Sequence, residues 1–184
     1  MAKRGMDLVI ALILAGPALL ICALAMLFVY AEMRANPIFS QQRVGFRQRP
    51  FTIFKMRTMP PATPDRASHE VGAVTVTPTG RVLRRFKIDA RPQLWCVVRG
   101  DMSMVGPRPC LPSQTELIAE RERCGVFELR PGITGLAQVQ GVDMSRPVEL
   151  TKVDARYAAS RSFAGDLALL LQTVLGRGRG DAAA

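Results

Sequence analysis

The chain has 184 residues, enough for one domain with a hydrophobic core. Its formal net charge of +10 at pH 7 indicates anionic partners, such as phospholipid headgroups, nucleotides or nucleic acid. The four cysteines include no CxxC pair and have no histidine at metal-ligand spacing, which argues against a metal site or a disulfide framework. The single histidine, His69, lies in a segment rich in Pro, Ser and Asp, so a catalytic histidine is not expected.

The N-terminal segment has the composition of a membrane helix. Residues 8–31 contain no charged side chain, and this run is long enough to cross a bilayer but too long for a secretory signal peptide. Lys3 and Arg4 precede the run and Arg34 follows it, so the positive-inside rule draws both ends towards the cytoplasm. Pro17, near the middle, removes a helix hydrogen bond and bends the chain.

These features favour a re-entrant segment, and the alternative is an ordinary spanning anchor. We expect residues 1–34 to form a hairpin that enters one leaflet, breaks at Pro17 and returns. Asp7 is expected to pair with Arg4 at the interface, which limits the cost of an acid near lipid. Residues 35–184 are expected to form a membrane-associated cytoplasmic domain of the α+β class, with short strands and interfacial amphipathic helices.

An alternating segment predicts the first part of this domain. Residues 51–59 alternate apolar and polar side chains, the pattern of a strand with one buried face. Lys55 and Arg57 then lie on the same face, either as a solvated edge or as two cations directed at one anion. Residues 60–78 have no period and are rich in Pro, Thr and Ala, so they predict a loop.

A basic amphipathic helix is predicted next. Residues 79–88 place Val82, Leu83 and Phe86 on one helical face, surrounded by Arg and Lys. This pattern suits a membrane surface, although a helix that faces DNA has the same composition.

Asp89 follows this helix and precedes a second one, which Pro92 opens over residues 93–99. At a helix N-terminus the dipole favours the ionised carboxylate, which would act as a nucleophile, a metal ligand or only an N-cap. A Gly- and Pro-rich turn that carries Arg108 comes shortly afterwards. An acid beside backbone N–H groups and an arginine fork suits an anionic, phosphate-bearing substrate.

The C-terminal third continues the mixed pattern. Residues 113–123 predict a surface helix, and residues 129–141 predict a turn and a short apolar strand with Arg130 at the mouth. Glycines in that turn, including Gly132, permit close backbone approach to a ligand. Residues 163–175 predict an apolar helix, and the Gly-Arg tail after it would lie against anionic headgroups. The chain contains no P-loop, no GxGxxG and no GxSxG motif.

Several multi-residue motifs, in the same order, carry a family resemblance over nearly the whole chain. They are Lys3-Arg4-Gly-Met-Asp7, residues 37–45, residues 54–59, residues 89–109 and Arg130-Pro-Gly-Ile-Thr-Gly135. With these motifs the sequence resembles the small monotopic phosphoglycosyltransferases, bacterial enzymes that begin glycan assembly on undecaprenyl phosphate.

The resemblance implies an activity, a cofactor and a location. Members move a phospho-sugar from a UDP-sugar to a polyprenyl phosphate at the cytoplasmic face of the inner membrane, with Mg²⁺ and release of UMP. Asp89 matches the nucleophile that forms a covalent phospho-sugar intermediate in a ping-pong reaction, and it is also the expected metal ligand. The candidate substrate- and phosphate-binding residues are Lys55, Arg57, Arg108, Arg130, Gly132 and Gln138, with Arg91 a weaker candidate. The candidate membrane residues are Lys3, Arg4, Asp7 and Pro17.

Ala90 departs from the family pattern, because most members have an Asp-Glu pair where this chain has Asp89-Ala90. One interpretation is an active enzyme that needs no second acid, since its phosphate acceptor is already largely ionised. A second is that Asp101 or Asp143 substitutes in space. A third is that activity is reduced or lost. We favour the active enzyme, because Asp89 and the basic residues are present.

Two other classes of function remain for comparison. A catalytically silent membrane subunit would bind a UDP-sugar or polyprenyl phosphate and organise other glycosyltransferases. A nucleic-acid binder would explain the charge, but the chain lacks interleaved aromatics and a helix-turn-helix, so no nucleic-acid partner is expected. The sequence identifies neither the sugar nor the oligomeric state, and it allows a homodimer.

Overall fold

The computed structural model describes residues 2–63 and 76–176, which combine helices with two small sheets. This mixture confirms the α+β class. The helices are α1 Ala2–Met33, α2 Pro78–Arg85, α3 Leu94–Arg99, α4 Thr115–Arg123, α5 Leu136–Val139, α6 Pro147–Ser160 and α7 Phe163–Val174. The strands are β1 Ile38–Val44, β2 Pro50–Met56, β3 Ser103–Val105 and β4 Gly132–Thr134. His69, most of the predicted 60–78 loop and the Gly-Arg tail lie outside the described residues.

One face of helix α1 packs along the domain, and the opposite face is exposed. Its buried residues include Ala11, Ala18, Ala25 and Val29, which are seven or four positions apart and so form one stripe. Small side chains in this stripe let the helix backbone come close to the domain. The exposed large apolar residues are Val9, Leu12, Ile13, Leu14, Leu19, Leu20, Leu24, Leu27, Phe28 and Tyr30. Within the described residues, α1 is the one helix long and apolar enough to cross a membrane.

The helix continues through Pro17 without interruption, so the predicted break at this residue is wrong. A proline removes one backbone donor and crowds the preceding turn, which bends a helix but need not end it. The hydrogen bonds of the flanking apolar turns hold the helix on both sides. The re-entrant topology therefore stays a prediction that does not depend on a break in the helix.

Polar contacts fix the N-terminal end of α1 to the domain. The ammonium of Lys3 lies 2.5 Å from a carboxylate oxygen of the buried Asp166 in α7. Arg4 donates to the carbonyls of Val97 and Val98, at 2.6 and 2.9 Å. Cations at the C-terminal end of a helix complement its dipole and its free carbonyls, and these two belong to α3.

Asp7 is buried against β3 and does not pair with Arg4, contrary to the sequence prediction. Its Oδ1 accepts hydrogen bonds from the Ser103 hydroxyl at 3.0 Å and the Met104 amide at 2.9 Å. The two charged residues thus point to different parts of the domain, because each finds buried backbone or hydroxyl partners there.

The other end of α1 packs on the same domain. Ala25 and Val29 form a hydrophobic cluster with Met56 at the end of β2 and Leu83 in α2. A helix of this length extends about 48 Å. Both of its ends therefore contact one body.

Strands β1 and β2 form an antiparallel hairpin whose register runs from Ile38 opposite Met56 to Val44 opposite Pro50. β2 ends three residues before the predicted Met59. The amide of Arg57 still donates to the Pro37 carbonyl, but Pro37 has no N–H to donate in return, so the ladder ends there. The face that carries Lys55 also carries the buried Gln41, which lies opposite Ile53. Polar side chains therefore share this face with the core.

Strands β3 and β4 are parallel, with Ser103 opposite Gly132 and Val105 opposite Thr134. A Cβ at Gly132 would lie 2.1 Å from the Gly106 nitrogen, so this glycine permits close contact with the chain itself. After β4 the chain turns into α5, where the sequence predicted a continued strand. In the described part of the chain, β4 pairs only with β3, and that ladder ends at Thr134.

The predictions for two of the remaining helices, α2 and α6, differ from the structure. In α2, Leu83 is buried, but Val82 and Phe86 are exposed, so the predicted apolar face divides between the domain and its outer surface. Helix α6 was not predicted. It supplies the buried Asp154 and Tyr157, and the Tyr157 hydroxyl lies 2.7 Å from Asp166.

The docking of α1 at Asp7 can be tested by stability. Asp7→Ala leaves the Ser103 hydroxyl and the Met104 amide buried without an acceptor, and we expect it to lower the free energy of unfolding by about 1–3 kcal/mol. Asp7→Asn keeps the accepting oxygen and should lose less. Urea unfolding of the detergent-solubilised chain measures both. Equal stability of Asp7→Ala and the wild type would contradict this docking.

Candidate active site

The backbone of Asp89 is held between α2 and the end of β2. Its carbonyl accepts from the Met56 amide at 2.9 Å, while the Ile88 amide donates to the Leu83 carbonyl at 2.8 Å. Lys87 has a φ of 54°, the left-handed conformation that turns the chain after α2. These contacts fix the position from which the Asp89 side chain extends.

Asp89 does not cap the helix that follows. A 3₁₀ turn, Arg91–Gln93, leads into α3, and its cap position belongs to Ala90, which makes no side-chain cap hydrogen bond. The N-cap interpretation of Asp89 is therefore wrong. Its carboxylate is therefore available to interact with neighbouring cations.

Lys55, Arg84 and Arg108 lie close enough to the Asp89 carboxylate to act on it electrostatically. Burial raises the pKa of Asp89, and the positive charges of these three residues oppose that rise. They come from β2, α2 and the turn after β3, so four distant segments of the chain meet at this point. Arg84 is held there by a hydrogen bond from its Nε to the Thr58 hydroxyl at 3.1 Å.

The site carries more positive than negative charge. Burial, and then Arg108 and Arg43, lower the pKa of Lys55 well below its usual value, while Asp89 partly opposes them. Burial and then Arg43 lower the pKa of Arg108 to about 10, again against the effect of Asp89. An anion bound here would relieve this repulsion between neighbouring cations.

The turn that carries Arg108 is anchored through its carbonyl groups. Arg121 donates from Nη1 to the Arg108 carbonyl at 2.7 Å, and Arg43 donates from Nη1 to the Pro109 carbonyl at 3.1 Å. Arg121 is itself paired with Asp154, at 2.6 Å, with both side chains almost fully buried. Burial raises the pKa of Asp154, and Arg121 opposes this effect.

The structure therefore brings together three of the predicted residues, Lys55, Arg108 and Asp89. It adds Arg84 and Arg43, which sequence reasoning did not select. Arg84 is one of several cations on a basic helix, and Arg43 lies in a motif that was recognised, but neither pattern indicates which cation faces inward.

Other candidates make contacts elsewhere. Arg57 shares the Lys55 face, as predicted, but its Nε donates to the Asn36 carbonyl at 2.7 Å, and its guanidinium lies over Phe39. Arg130 donates from Nε to the Gly100 carbonyl at 2.8 Å. Gln138 donates from Nε2 to the Ile133 carbonyl at 3.0 Å, which leaves its buried Oε1 without a partner.

No second carboxylate joins Asp89 through the contacts of the described residues. Asp101 pairs with Arg99 at 2.6 Å, and Asp143 accepts from the Ser145 amide at 2.9 Å. The described residues also contain no group of three or more His, Cys, Asp or Glu side chains that could hold a metal ion. A single carboxylate fits Mg²⁺ only if substrate phosphates and water complete the coordination, which is a common arrangement for this ion.

The anchor on the Arg108 turn can be tested at Arg121. Arg121→Met leaves Asp154 buried without its partner, and we expect it to lower the free energy of unfolding by about 3–5 kcal/mol. The double variant Arg121→Met/Asp154→Leu removes both charges, so it should be more stable than the single variant. Both should bind inorganic diphosphate more weakly than the wild type by calorimetry. Unchanged diphosphate affinity in the stable double variant would contradict a positioning role.

Comparison with known proteins identifies the family of the chain. The family described as bacterial sugar transferase matches residues 1–178. A UDP-glucose:undecaprenyl-phosphate glucose-1-phosphate transferase of Caulobacter vibrioides is 40% identical, covering 94% of this chain and 68% of the relative. The uncharacterized sugar transferase EpsL of Bacillus subtilis is 36% identical, covering 94% and 85%. A UDP-N-acetylgalactosamine-undecaprenyl-phosphate N-acetylgalactosaminephosphotransferase of Aeromonas hydrophila is 37% identical, covering 74% and 33%. The chain therefore belongs to the bacterial sugar transferase family, and its relatives include undecaprenyl-phosphate sugar phosphotransferases.

Proposed function

We propose that this chain transfers a phospho-sugar from a UDP-sugar to undecaprenyl phosphate and releases UMP. The observation that carries the proposal is the lone carboxylate of Asp89 among Lys55, Arg84 and Arg108, in a domain that also presents an apolar helix. The names of the relatives support both substrates. The reaction would be the first membrane step of bacterial polysaccharide assembly.

In the first step, an oxygen of Asp89 attacks the phosphorus that carries the sugar. A bond forms between this oxygen and phosphorus, and the bond from phosphorus to the bridging oxygen breaks. UMP leaves with that oxygen and its electron pair. The enzyme then holds the phospho-sugar on Asp89, so one transfer between two bulky anions becomes two simpler displacements.

In the second step, a phosphate oxygen of the acceptor attacks the same phosphorus. The Asp89 oxygen leaves as a carboxylate, and the product is a sugar joined to the lipid through a diphosphate. The acceptor has a second pKa of about 6, so most of it is already ionised and needs no general base. Ala90 in place of a second acid is compatible with this route.

The cations supply the charge stabilisation that both steps require. Burial, and after it the neighbouring arginines, lowers the pKa values of Lys55 and Arg108, so the donor diphosphate would bind where positive charge is in excess. Mg²⁺, held by Asp89 together with the phosphates, would neutralise further charge when bound. Arg84 extends this positive surface on the side of α2.

A second candidate function follows from Ala90. If the missing acid abolishes turnover, the same site would hold a UDP-sugar or polyprenyl phosphate as a silent membrane subunit. The two functions differ in UMP release but share ligand binding.

The activity is tested by incubating the purified chain with a panel of UDP-sugars, Mg²⁺ and undecaprenyl phosphate. We expect UMP release with at least one sugar, and a loss of at least about 1,000-fold in Asp89→Asn because the nucleophile is removed. Mass spectrometry without acceptor should show a phospho-sugar adduct on Asp89. Glu116→Gln is a matched control, since it makes the same carboxylate-to-amide change at an exposed position on α4. Full turnover in Asp89→Asn would refute the covalent route, and no UMP with any sugar would favour the silent subunit.

We also propose that α1 penetrates only the cytoplasmic leaflet, with both of its ends on the cytoplasmic side. The contacts of Lys3 with Asp166 and of Val29 with Leu83 support this topology, because both ends of the helix touch one domain. A bilayer core of about 30 Å cannot lie between two ends that contact a body on one side. The exposed apolar face of α1 would then lie against lipid.

Cysteine labelling of the intact cell tests this topology. Ala2→Cys and Ala35→Cys are compared in a background without the exposed Cys124, which serves separately as a marker of the domain. We expect an impermeant maleimide to label none of the three positions in spheroplasts and all of them after permeabilisation. Labelling of Ala2→Cys alone in spheroplasts would establish a spanning helix instead.

A further inference from the structure

Arg91 lies where the segment that follows Asp89 contacts helix α1. It begins the 3₁₀ turn Arg91–Gln93, two residues after Asp89, and this turn contacts α1. The chain runs from Ile88, which packs against the cluster of Ala25 and Val29, to Val97, whose carbonyl accepts from Arg4, so the turn lies against the middle of α1. Cys22 lies between the buried Ala18 and Ala25 on the apolar run. Arg91 therefore places a positive charge beside the middle of a helix without charged side chains of its own there.

This cation has no partner among the described residues. The Nε atom of Arg91 is buried and makes no hydrogen bond. Arg91 also forms no ion pair with any residue that the structure describes. Other arginines differ, because Arg4 donates to two carbonyls and Arg121 pairs with Asp154. The residue as a whole is half-buried, so its guanidinium can be reached from outside, and an anion at this position would satisfy the buried Nε donor.

The surroundings indicate from which side the anion comes. Trp95 follows Arg91 by one helical turn and is 58% exposed, and Phe86 is 62% exposed. Leu19 of α1, three residues before Cys22, is exposed as well. Exposed Trp and Phe side chains are typical of the boundary between lipid and water, at the depth of the headgroups. An anion that reaches Arg91 through this surface is part of a lipid.

We propose that Arg91 binds a phosphate group carried by a lipid, in the seam between α1 and the Arg91–Gln93 turn. Its fork of N–H donors suits a phosphate, and the unpartnered Nε is available for one of these bonds. Two sources have this chemistry, a polyprenyl phosphate and the headgroup of an anionic phospholipid. The choice of the polyprenyl phosphate rests on the proposed function, because a phosphate held two residues from Asp89 is placed as the acceptor.

The single tryptophan of the chain allows binding to be measured without turnover. The full chain is titrated in phosphatidylcholine vesicles that contain undecaprenyl phosphate, undecaprenol or phosphatidylglycerol, with no UDP-sugar present, and Trp95 fluorescence is recorded. We expect a saturable change with undecaprenyl phosphate and none with undecaprenol. Arg91→Leu should weaken this binding at least about tenfold, and Arg91→Lys should restore part of it.

Arg123→Leu is the matched control, because it removes the same charge from an exposed position on α4 and should leave the titration unchanged. Thermal unfolding of each variant verifies that it is folded. If phosphatidylglycerol gives as strong a response as undecaprenyl phosphate, and Arg91→Leu abolishes it, the bound phosphate belongs to the phospholipids of the bilayer. An unchanged titration in folded Arg91→Leu, or equal binding of undecaprenol, overturns the proposal.

This test separates the inference from the proposed function. If UMP release is absent but undecaprenyl phosphate still binds through Arg91, the lipid site stands and the enzyme activity does not. If UMP is released and Arg91→Leu binds normally, the activity stands and the Arg91 site does not.

Discussion

The docking of the polar end of α1 on the domain is the interaction on which the rest of the structure depends. Asp7 is removed from water and satisfied by the Ser103 hydroxyl and the Met104 amide, both in β3. The same strand leads directly into the turn that carries Arg108. Because one short strand holds both the apolar helix and the turn with Arg108, the backbone fixes the distance between α1 and the candidate site.

A surplus of positive charge is the second constraint. Asp89 alone faces Lys55, Arg84 and Arg108, and burial together with the positive charge of neighbouring arginines lowers the pKa values of Lys55 and Arg108. Such a cluster lowers the stability of the free protein and increases the affinity for anions. The buried pair of Arg121 with Asp154 stabilises the turn that carries Arg108. The absence of a second acid at Ala90 makes the surplus larger.

Local patterns predicted several elements well. The apolar run predicted α1, the alternation around residue 53 predicted β2, and the terminal apolar segment predicted α7. The site was predicted in part, since Lys55, Arg108 and Asp89 do come together. Helix α6 was missed, and the strand predicted after Thr134 proved to be α5, because a short apolar segment has no local feature that fixes its partner.

The sequence by itself determined the apolar helix, the excess of positive charge and the order of motifs that identifies the family. These properties depend on residue types and on short spacings along the chain. Only the tertiary structure decided which cations face Asp89, where Asp7 and Arg4 bind, and that α1 continues through Pro17. The reason is physical. The partner and the protonation of a charged group depend on burial and on distances to residues far away in the chain, and no local pattern contains these quantities.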